Sequence, residues 1–381
     1  MKGAGTRGPL ADLLIVDLTR VLAGPYCTMV LADLGARVIK VERPEVGDDA
    51  RAFPPFVDDQ SAYFASLNRG KESIALDLKA APDREIFEAL LGRADVLVEN
   101  YRAGTLDRLG YDWERLHPEF PRLILASASG FGQTGPYATR PAYDMVVQAM
   151  GGVMSLTGHP GGPPTRVGSS VGDITAGLLT AVGILTALHH RSESGQAQRV
   201  DVAMLDGQVA ILENAIARYV ASGTVPGPLG ARHPSIAPFE AYATADGHLV
   251  IAAGNDALFA ACCEVLGIRE LADDPRFADN PSRVAHVEAL GAAFESQLAK
   301  ANTREWLERL EAAGVPCGPI QNVEEVLRDP QVLARNMVIR AGGLKMAGNP
   351  VKISGFPDPE ERAPAPALDA QRRSILRELK G

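Results

Sequence analysis

Asp173 stands in a segment whose residue types could support covalent chemistry. It lies between a glycine-containing loop and a long apolar stretch, in the run Pro163–Gly177 (PPTRVGSSVGDITAG). A carboxylate at a helix start can act as a nucleophile, and flanking glycines would let a bulky substrate approach its oxygens. Backbone N–H groups nearby could stabilise a developing oxyanion. An aspartate in this pattern is also a good helix N-cap, and the pattern alone leaves both interpretations open.

Cationic side chains stand at or near the ends of several predicted strands. A helix that starts after a parallel strand presents free N–H groups and its positive dipole end, which favours anions, and open α/β sheets bind ligands at this edge. In a chain with a net charge of −9, this placement predicts a phosphate-rich ligand, although each cation alone could be a solvated surface residue. The cations in question are Arg20, Arg43, Lys71, Lys79, Arg102 and Arg108.

The segment Gly130–Gly135 (GFGQTG) matches the dinucleotide motif GxGxxG and follows a predicted strand. That motif binds pyrophosphate only where a helix opens at it, so that the helix N-terminus faces the phosphates. Here Pro136 follows at once, and no acidic residue ends the next strand. The turn after the first strand, Arg20–Pro25 (RVLAGP), lacks the motif as well. We therefore predict no NAD site.

The spacing of cysteines and histidines indicates no metal centre. His189 and His190 close an apolar helical stretch without a cysteine or carboxylate at ligand spacing. The cysteines form no CxxC pair, so we interpret them as small buried apolar residues. They are Cys27, Cys262, Cys263 and Cys317. We expect neither a metal ion nor a prosthetic group.

The composition is typical of a soluble globular protein, with 46% hydrophobic and 22% charged residues. The acidic net charge argues against nucleic acid or an anionic membrane as the partner. Apolar runs such as Ala181–Leu188 are far shorter than the roughly 20 residues that a membrane span needs. The N-terminal residues show no signal-peptide cleavage pattern, so we predict a cytoplasmic protein.

Short β-rich runs alternate with helical stretches over the first 130 residues. Nearly continuous apolar strands that alternate with helices predict a parallel sheet covered on both faces, and hence a Rossmann-like α/β domain. Residues 174–220 are predicted to be mainly helical. The predicted strands are Leu13–Leu18, Arg37–Glu42, Ser73–Leu78, Val96–Glu99 and Leu123–Ser127, and the predicted helices are Gly24–Leu34 and Asp83–Arg93.

A chain of 381 residues is too long for one ordinary core, which favours two domains. We predict a large domain over residues 1–224, completed by residues 331–381, and a smaller α+β domain over residues 225–330. The Gly/Pro-rich stretch Ser222–His233 marks the boundary. Later elements are predicted at His248–Ala252, Asp256–Leu266, Val284–Ala299, Thr303–Ala313, Met337–Arg340 and Val351–Ile353.

Taken together, these segments resemble the family III CoA transferases. That family includes formyl-CoA:oxalate, carnitine and succinyl-CoA:dicarboxylate CoA transferases, and it shares its fold with the α-methylacyl-CoA racemases. The resemblance covers essentially the whole chain, with several long matches in one order. The matching segments are VDLTRVLAGPYCTMVLADLGARVIKVE, NRGKESIALDLK, VLVENYRAGTLDRLG, ASASGFGQTGPYATRPAYDMVVQAMGG and PTRVGSSVGDITAG.

The resemblance implies an interlocked, ring-like homodimer in which each chain has a large Rossmann-like domain and a small domain. It implies that Asp173 is the catalytic carboxylate, which attacks an acyl-CoA thioester and forms a mixed anhydride and later an aspartyl-CoA thioester. Such attack needs an ionised carboxylate, as the ordinary pKa of about 4 would ensure at neutral pH. Coenzyme A thioester is then a substrate and not a bound cofactor. The implied CoA-contacting positions are Val21, Leu22, Ala23, Arg43, Leu76, Lys79, Asn100, Tyr101 and Arg108.

Two other functions remain as alternatives. The racemase branch needs an acid/base pair and carries a histidine directly before an aspartate, where this chain has Tyr143-Asp144. A tyrosine with its ordinary pKa of about 10 is a poor base at pH 7, which favours transfer over racemisation. The other alternative is a CoA-binding protein without catalysis, and the intact Asp173 in its glycine setting argues against it.

The run Arg232–Phe239 (RHPSIAPF) resembles the succinyl-CoA:dicarboxylate branch, at a place where the formyl-CoA enzymes carry a run of glycines. A dicarboxylate needs a cation for its remote carboxylate. We expect succinyl-CoA as the donor and a small dicarboxylate as the acceptor, with formyl-CoA:oxalate transfer as the alternative. The candidate substrate residues are Arg140, which stands beside Pro141 where the formyl-CoA enzymes have a lysine, and Arg166, Arg232 and His233.

Overall fold

A computed structural model describes residues 8–380 of the chain. These residues divide into two units. The first comprises residues 8–154, 166–225 and 330–380, and the second comprises residues 155–165 and 226–329. Whereas the sequence predicted the small domain at residues 225–330, the second unit also takes up residues 155–165.

The strands and helices of the described chain are numbered here in chain order. The strands are β1 (Leu14–Asp17), β2 (Arg37–Glu42), β3 (Phe56–Val57), β4 (Gln60–Ser61), β5 (Glu72–Ala75), β6 (Val96–Glu99), β7 (Ile124–Ser129), β8 (Arg199–Ala203), β9 (Phe239–Ala243), β10 (His248–Ala252), β11 (Cys317–Pro319), β12 (Val338–Ala341), β13 (Leu344–Ala347) and β14 (Glu361–Arg362). The helices are α1 (Ala23–Asp33), α2 (Ala62–Asn68), α3 (Ala81–Leu91), α4 (Thr105–Arg108), α5 (Trp113–Glu119), α6 (Asp144–Met150), α7 (Val153–Leu156), α8 (Val171–Ser194), α9 (Met204–Ala210), α10 (Glu213–Ser222), α11 (Asp256–Val265), α12 (Asn280–Ala285), α13 (Val287–Leu298), α14 (Thr303–Ala312), α15 (Val323–Val326), α16 (Pro330–Ala334) and α17 (Arg372–Lys380).

The first unit is built on a six-stranded sheet with the order β5-β2-β1-β6-β7-β8. All of its strand pairs are parallel. The central strands are continuous apolar runs; Val96, Leu97 and Val98 of β6 have no exposed surface. Strands of this kind form parallel sheets that are covered on both faces. The predicted α/β class with a parallel sheet is confirmed.

Neighbouring residues of each central strand point to opposite faces of the sheet, as the two-residue period of a strand requires. Ile15 packs in the cluster that α1 and α8 cover, together with Cys27 and Ile184. Val16 belongs to the cluster on the other side, with Phe87 of α3 and helix α17. The helices therefore cover both faces and leave the edge formed by the strand ends for the loops.

The strand order places the carboxyl ends of β1 and β6 side by side. From β1 the sheet continues through β2 to β5, and from β6 it continues through β7 to β8, which is the doubly wound order with its switch point between β1 and β6. Open α/β sheets bind ligands in the crevice outside the strand ends at this point. The loops that begin there are Thr19–Leu22 and Asn100–Arg102.

The second unit packs helices against a three-stranded antiparallel sheet with the order β11-β10-β9. Its core contains Tyr242 and Leu249 from the sheet, and Phe259, Phe294 and Trp306 from the helices. This is the smaller α+β architecture that the sequence predicts.

Two predicted elements are wrong. The predicted helix at residues 284–299 is two helices, because the backbone of His286, with a φ of −114°, is not helical and separates α12 from α13. The predicted strand Val351–Ile353 does not form; the Asn349 side chain takes the Val351 N–H, which a sheet neighbour would need. Residues 174–220 are mainly helical, as the sequence predicts, but residues 199–203 within them form β8 at the edge of the sheet, where alternate residues can be polar.

Helix α8 is long and apolar enough to cross a membrane by length and composition alone. A core helix of a soluble protein passes the same test, and α8 packs against α1, β7 and β8. Among residues 8–380, no three His, Cys, Asp or Glu side chains are grouped so that they could hold a metal ion. Cys27, Cys262 and Cys263 are buried, whereas Cys317 is partly exposed.

Candidate active site

A cleft of about 360 Å³ opens at the switch point of the sheet. Its walls come from the turn after β1, the loop after β6, the end of β7, the start of α8 and the residues just before α6. Eight of the residues predicted from the sequence line it, namely Val21, Leu22, Ala23, Asn100, Tyr101, Arg108, Arg140 and Asp173. Arg20 and Arg102 also line it. These residues are distant in the chain, and the strand order places them at one edge of the sheet.

Asp173 is the third residue of α8 and is half-buried. The N-cap of α8 is Ser170, which makes no side-chain capping bond, so the interpretation of Asp173 as the N-cap is wrong. The capping role belongs instead to Asp144, whose Oδ1 accepts the Gly172 N–H at 2.8 Å. The other oxygen of Asp144 accepts from Gln148 Nε2 at 2.7 Å. The Asp173 carboxyl group is therefore not needed to satisfy the helix start.

The pKa of Asp173 is raised to about 7. Burial is the main cause, and the negative charge of Asp144 adds to it; a hydrogen bond from the Ala23 backbone N–H opposes both. The ordinary pKa expected from the sequence is thus wrong, because neither the burial nor the second carboxylate could be seen in the local pattern. Near neutral pH, Asp173 is divided between its charged and neutral forms.

The glycines beside Asp173 serve packing. A Cβ atom on Gly172 would lie 2.7 Å from Val147 Cγ2, and one on Gly177 would lie 2.7 Å from the Ala23 carbonyl oxygen. Gly177 therefore lets α8 approach the first turn of α1. This close approach, rather than open space for a substrate, is the reason for glycine at these two positions.

The turn before α1 has an unusual backbone conformation at Val21, whose φ is +66°. A β-branched residue strongly disfavours this left-handed region. The Arg20 backbone N–H and carbonyl both bond to the Asn100 side chain, each at 2.8 Å, and Asp48 Oδ1 accepts the Val21 N–H at 3.0 Å. By contrast, within the described chain the N–H groups of Leu22 and Gly24 have no hydrogen-bond partner. Together with the Ala23 N–H they form a set of donors at the start of α1.

Two arginines at this edge share one carboxylate. Asp49 accepts from Arg20 at 2.9 Å and from Arg43 at 2.6 Å. Because one negative charge faces two positive ones, a net positive charge is left for an anionic ligand. Arg43 itself does not line the cleft, and its side chain is 60% exposed.

The remaining predicted CoA contacts lie away from the cleft wall. Leu76 is buried just beyond β5, and Lys79 is exposed in the following turn, at the same edge of the sheet. The prediction that Lys71 binds the phosphate-rich ligand is wrong. Lys71 is fully buried and pairs with Asp17 at 3.0 Å.

The candidate substrate cations are separated. Arg140 lines the cleft, with its guanidinium 3.8 Å above the Tyr137 ring. Arg166 bends back to the carbonyls of its own loop. In the second unit, Arg232 pairs with Glu288 at 2.8 Å. His233 accepts the Ser235 N–H, and its ring lies against Phe239.

Sequence reasoning missed three residues that shape this site: Asp144, Asp48 and Ser129. Asp144 and Asp48 act on Gly172 and Val21, which lie 28 and 27 residues away along the chain. No local pattern could have revealed such pairs. Ser129 ends β7 in the cleft wall, and its hydroxyl is buried without a hydrogen-bond partner among the described residues.

Comparisons with known proteins agree with this geometry. The chain is 51% identical to the acetyl-CoA:oxalate CoA-transferase of Acetobacter aceti, over 99% of this chain and 97% of that protein. It is 43% identical to the succinate–glutarate CoA-transferase of Agrobacterium fabrum, over 97% of this chain and 96% of that protein. A crystal structure of a CAIB/BAIF family protein from Brucella suis matches with a TM-score of 0.88 and 41% identity, over 98% of this chain and all of that one. The sequence profile of CoA-transferase family III matches residues 10–372. The chain therefore belongs to CoA-transferase family III.

Proposed function

We propose that this enzyme transfers CoA from succinyl-CoA to a short dicarboxylate, with Asp173 as the nucleophile. The observation that carries the proposal is the half-buried Asp173 carboxylate, which is freed from helix capping by Asp144 and faces the backbone donors of α1. Such a group can attack a carbonyl carbon and leave again as a carboxylate.

Each step exchanges one activated acyl group for another. Asp173 attacks the thioester carbonyl, the C–S bond breaks, and the products are a mixed anhydride and CoA thiolate. The thiolate then attacks the Asp173 carbonyl carbon and releases the donor acid as a carboxylate, leaving an aspartyl-CoA thioester. The acceptor carboxylate attacks this thioester, and the released thiolate takes the acceptor acyl group, which restores the Asp173 carboxylate. Protons, redox equivalents and water do not enter the balance.

The donors at the start of α1 fit the charge that develops in these steps. Each attack turns a carbonyl oxygen into an oxyanion, and backbone N–H groups fixed in place stabilise it. The free N–H group of Leu22, which lines the cleft, supplies such a donor beside the Ala23 N–H, which already reaches Asp173. Their direction is set by the rigid turn at Val21.

Arg108 and Arg43 support the CoA end of the proposal. Arg108 lines the cleft on α4, and Arg43 shares Asp49 with Arg20. Arg108→Ala and Arg43→Ala should each weaken CoA binding about tenfold or more, because a lost charge-assisted hydrogen bond costs roughly 1.5–3 kcal/mol. Titration calorimetry with CoA at constant ionic strength measures this. Arg373→Ala, which removes an exposed arginine of α17, is the matched control, and unchanged affinity in both cleft-edge variants would contradict the assignment.

The choice of substrate rests on the relatives. The two relatives named above act on the dicarboxylates oxalate, succinate and glutarate, according to their names. A second donor and acceptor pair, acetyl-CoA and oxalate, is favoured by the 51% identity to the enzyme of that name. A panel of succinyl-, acetyl- and formyl-CoA against oxalate, glutarate and mesaconate, read by mass spectrometry, separates the pairs. If no pair transfers CoA, the proposed function is wrong.

Racemisation is disfavoured by the residue type at position 143 and by the hydrogen bonds of Asp144. The Tyr143 side chain is 72% exposed, and its neighbour Asp144 is committed to the Gly172 N–H and to Gln148. Tyr143 lines the same cleft as Asp173, but it is a tyrosine where the racemase branch carries a histidine that acts as a base. Incubation with 2-methylacyl-CoA in deuterated water would show incorporation at the α-carbon if the racemase alternative held.

We also propose that the protein is an interlocked homodimer in the cytoplasm. Within the first unit, α8 and α10 expose apolar residues that a second copy would cover: Leu178, Leu179, Val182, Leu185, Ile216, Tyr219 and Val220. Val182 is 59% exposed and Val220 is 76% exposed, and clustered exposed apolar residues are of a kind that marks interfaces. The four cysteines are unpaired, which fits a reducing compartment.

Sedimentation tests the dimer directly. At micromolar concentration the species should have about twice the chain mass of 40.4 kDa and should persist on dilution, because interlocked chains separate only by unfolding. A monomer that keeps full activity would contradict the proposal.

A further inference from the structure

Four charged residues lie completely buried beneath the turn that connects β1 to α1. We call Asp17, Lys40, Asp48 and Lys71 the buried charge cluster. The Lys40 and Asp48 side chains are 0% and 1% exposed and lie 2.9 Å apart; those of Lys71 and Asp17 are both 0% exposed and lie 3.0 Å apart. Buried charges are costly unless they are paired, and even paired ones are often no more stabilising than apolar residues of the same size. Stability alone therefore gives no reason for this cluster.

What the cluster holds is the backbone of the turn. Lys40 Nζ donates to the Thr19 carbonyl at 2.7 Å, and Lys71 Nζ donates to the Pro25 carbonyl at 3.1 Å. Asp17 Oδ1 accepts the Thr19 N–H at 2.8 Å. Asp48 Oδ1 accepts the Val21 N–H, while its Oδ2 faces Lys40. Each member thus contacts both an opposite charge and a backbone group between residues 19 and 25.

Val21 is the strained residue of this turn. Its left-handed backbone persists only if the surroundings determine it, and such residues cluster at active sites. Asp48 supplies the hydrogen bond to Val21 itself, and it is anchored from below by Lys40 and through its own N–H by Glu42 at 3.0 Å. The next two residues, Leu22 and Ala23, line the cleft, and the Ala23 N–H donates to Asp173.

We propose that Asp48 is a positioning residue for the transfer reaction. By holding Val21 in its left-handed conformation, it directs the backbone donors of Leu22 and Ala23 at Asp173 and at the oxyanion. This inference rests on the proposed function, because it assumes that Asp173 reacts in this cleft. Asp48 does not touch the substrate; it acts through the turn.

Four variants test the proposal: Asp48→Ala, Asp48→Asn, Val21→Gly and the double variant Asp48→Ala/Val21→Gly. Asp48→Ala should lower kcat about 100-fold, because misplacement of reacting groups by an ångström costs about that much, while KM for the acyl-CoA should change far less than kcat. The double variant should recover at least about tenfold of the loss, because glycine takes a positive φ without strain. Asp12→Ala, at an exposed aspartate of the same unit, is the control.

Asp48→Asn keeps the result decisive if the alanine variant fails to fold. Asparagine loses the charge pair with Lys40 but still offers an oxygen to the Val21 N–H. The kcat of Asp48→Asn should therefore be at least about tenfold above that of Asp48→Ala. A role limited to charge pairing predicts the opposite result. The kcat of Asp48→Asn would then be as low as that of Asp48→Ala, and adding Val21→Gly to Asp48→Ala would not raise it. Either of those results would overturn the proposal.

Deuterium exchange of the peptide covering residues 18–26 provides a readout that does not depend on catalysis. Exchange should be faster in Asp48→Ala and should return toward the parent rate in Asp48→Asn. If the parent proves to have no CoA-transfer activity, the proposed function fails, yet this measurement still decides whether Asp48 holds the turn. Unchanged exchange in the folded alanine variant would refute the positioning role.

Discussion

Asp173→Asn should abolish CoA transfer while leaving a folded protein that still binds CoA. Asparagine has nearly the same shape but is not a nucleophile, and removal of a covalent nucleophile costs on the order of 10⁴–10⁶-fold in kcat. Steady-state transfer from succinyl-CoA measures the loss. Asp206→Asn is a matched control, because Asp206 is also the third residue of a helix, α9, and is exposed.

The stability of the same variant separates a reacting carboxylate from a structural one. The pKa of Asp173 in the folded protein, about 7, lies above its ordinary value of 3.8. The folded protein therefore favours the neutral form; this contribution to stability is fully present below pH 3.8 and is lost as the pH rises through 7. Since asparagine is neutral throughout, Asp173→Asn should have a Tm at pH 8 equal to or above that of the parent, with the difference shrinking toward pH 5. A structural role would lower the Tm.

Trapping the intermediate completes the test of Asp173. Incubation of the parent with acyl-CoA and then hydroxylamine should leave a modified peptide that contains Asp173, because an anhydride or aspartyl thioester reacts to give the hydroxamate. The Asp173→Asn protein should give no such peptide. Near-normal turnover by this variant, once mass spectrometry has excluded deamidation back to aspartate, would end the proposal that Asp173 is the nucleophile.

The architecture of the site could be predicted from the sequence because it depends on local patterns. The strands β2 and β6 were predicted at their observed bounds. A parallel sheet carries its ligands at the carboxyl ends of its strands. That reasoning placed Arg20, Arg102 and Arg108 at one edge, where the structure has a cleft. The position of this edge follows from the alternation of strands and helices along the chain, which a single sequence shows.

The chemistry within the cleft could not be predicted in the same way, because it depends on pairs of residues that are distant in the chain. Asp144 caps α8 and raises the pKa of Asp173 from another helix, and Asp48 reaches Val21 from the loop after β2. The sequence predicted Lys71 as a cation for the ligand, but it is a buried member of the charge cluster. The role of a charged residue depends on its burial and on its contacts with residues distant in the chain. Its position relative to a strand reveals neither the burial nor the contacts.

The carboxyl pair Asp173 and Asp144 also makes the reaction sensitive to pH. Attack needs the ionised form of Asp173, so kcat/KM should fall about tenfold per pH unit below a midpoint near the pKa of about 7. A second buried carboxyl group near the cleft, Glu99, also has a pKa raised to about 7 by burial. A single pH profile of the parent therefore does not tell which group is responsible.

Two variants separate the carboxyl groups. Asp144→Asn removes the like charge beside Asp173 but keeps an oxygen for the Gly172 N–H, so the pKa of Asp173 should fall and the acidic limb should move to lower pH. Burial, the larger cause, remains, and the limb should therefore stay above the ordinary value of 3.8. Glu99→Gln is the matched control: it neutralises the other carboxyl group but leaves the surroundings of Asp173 intact, and the limb should not move. If the acidic limb of the kcat/KM profile shifts in Glu99→Gln and stays in place in Asp144→Asn, the titrating group is Glu99. The ionisation of Asp173 would then not limit the rate.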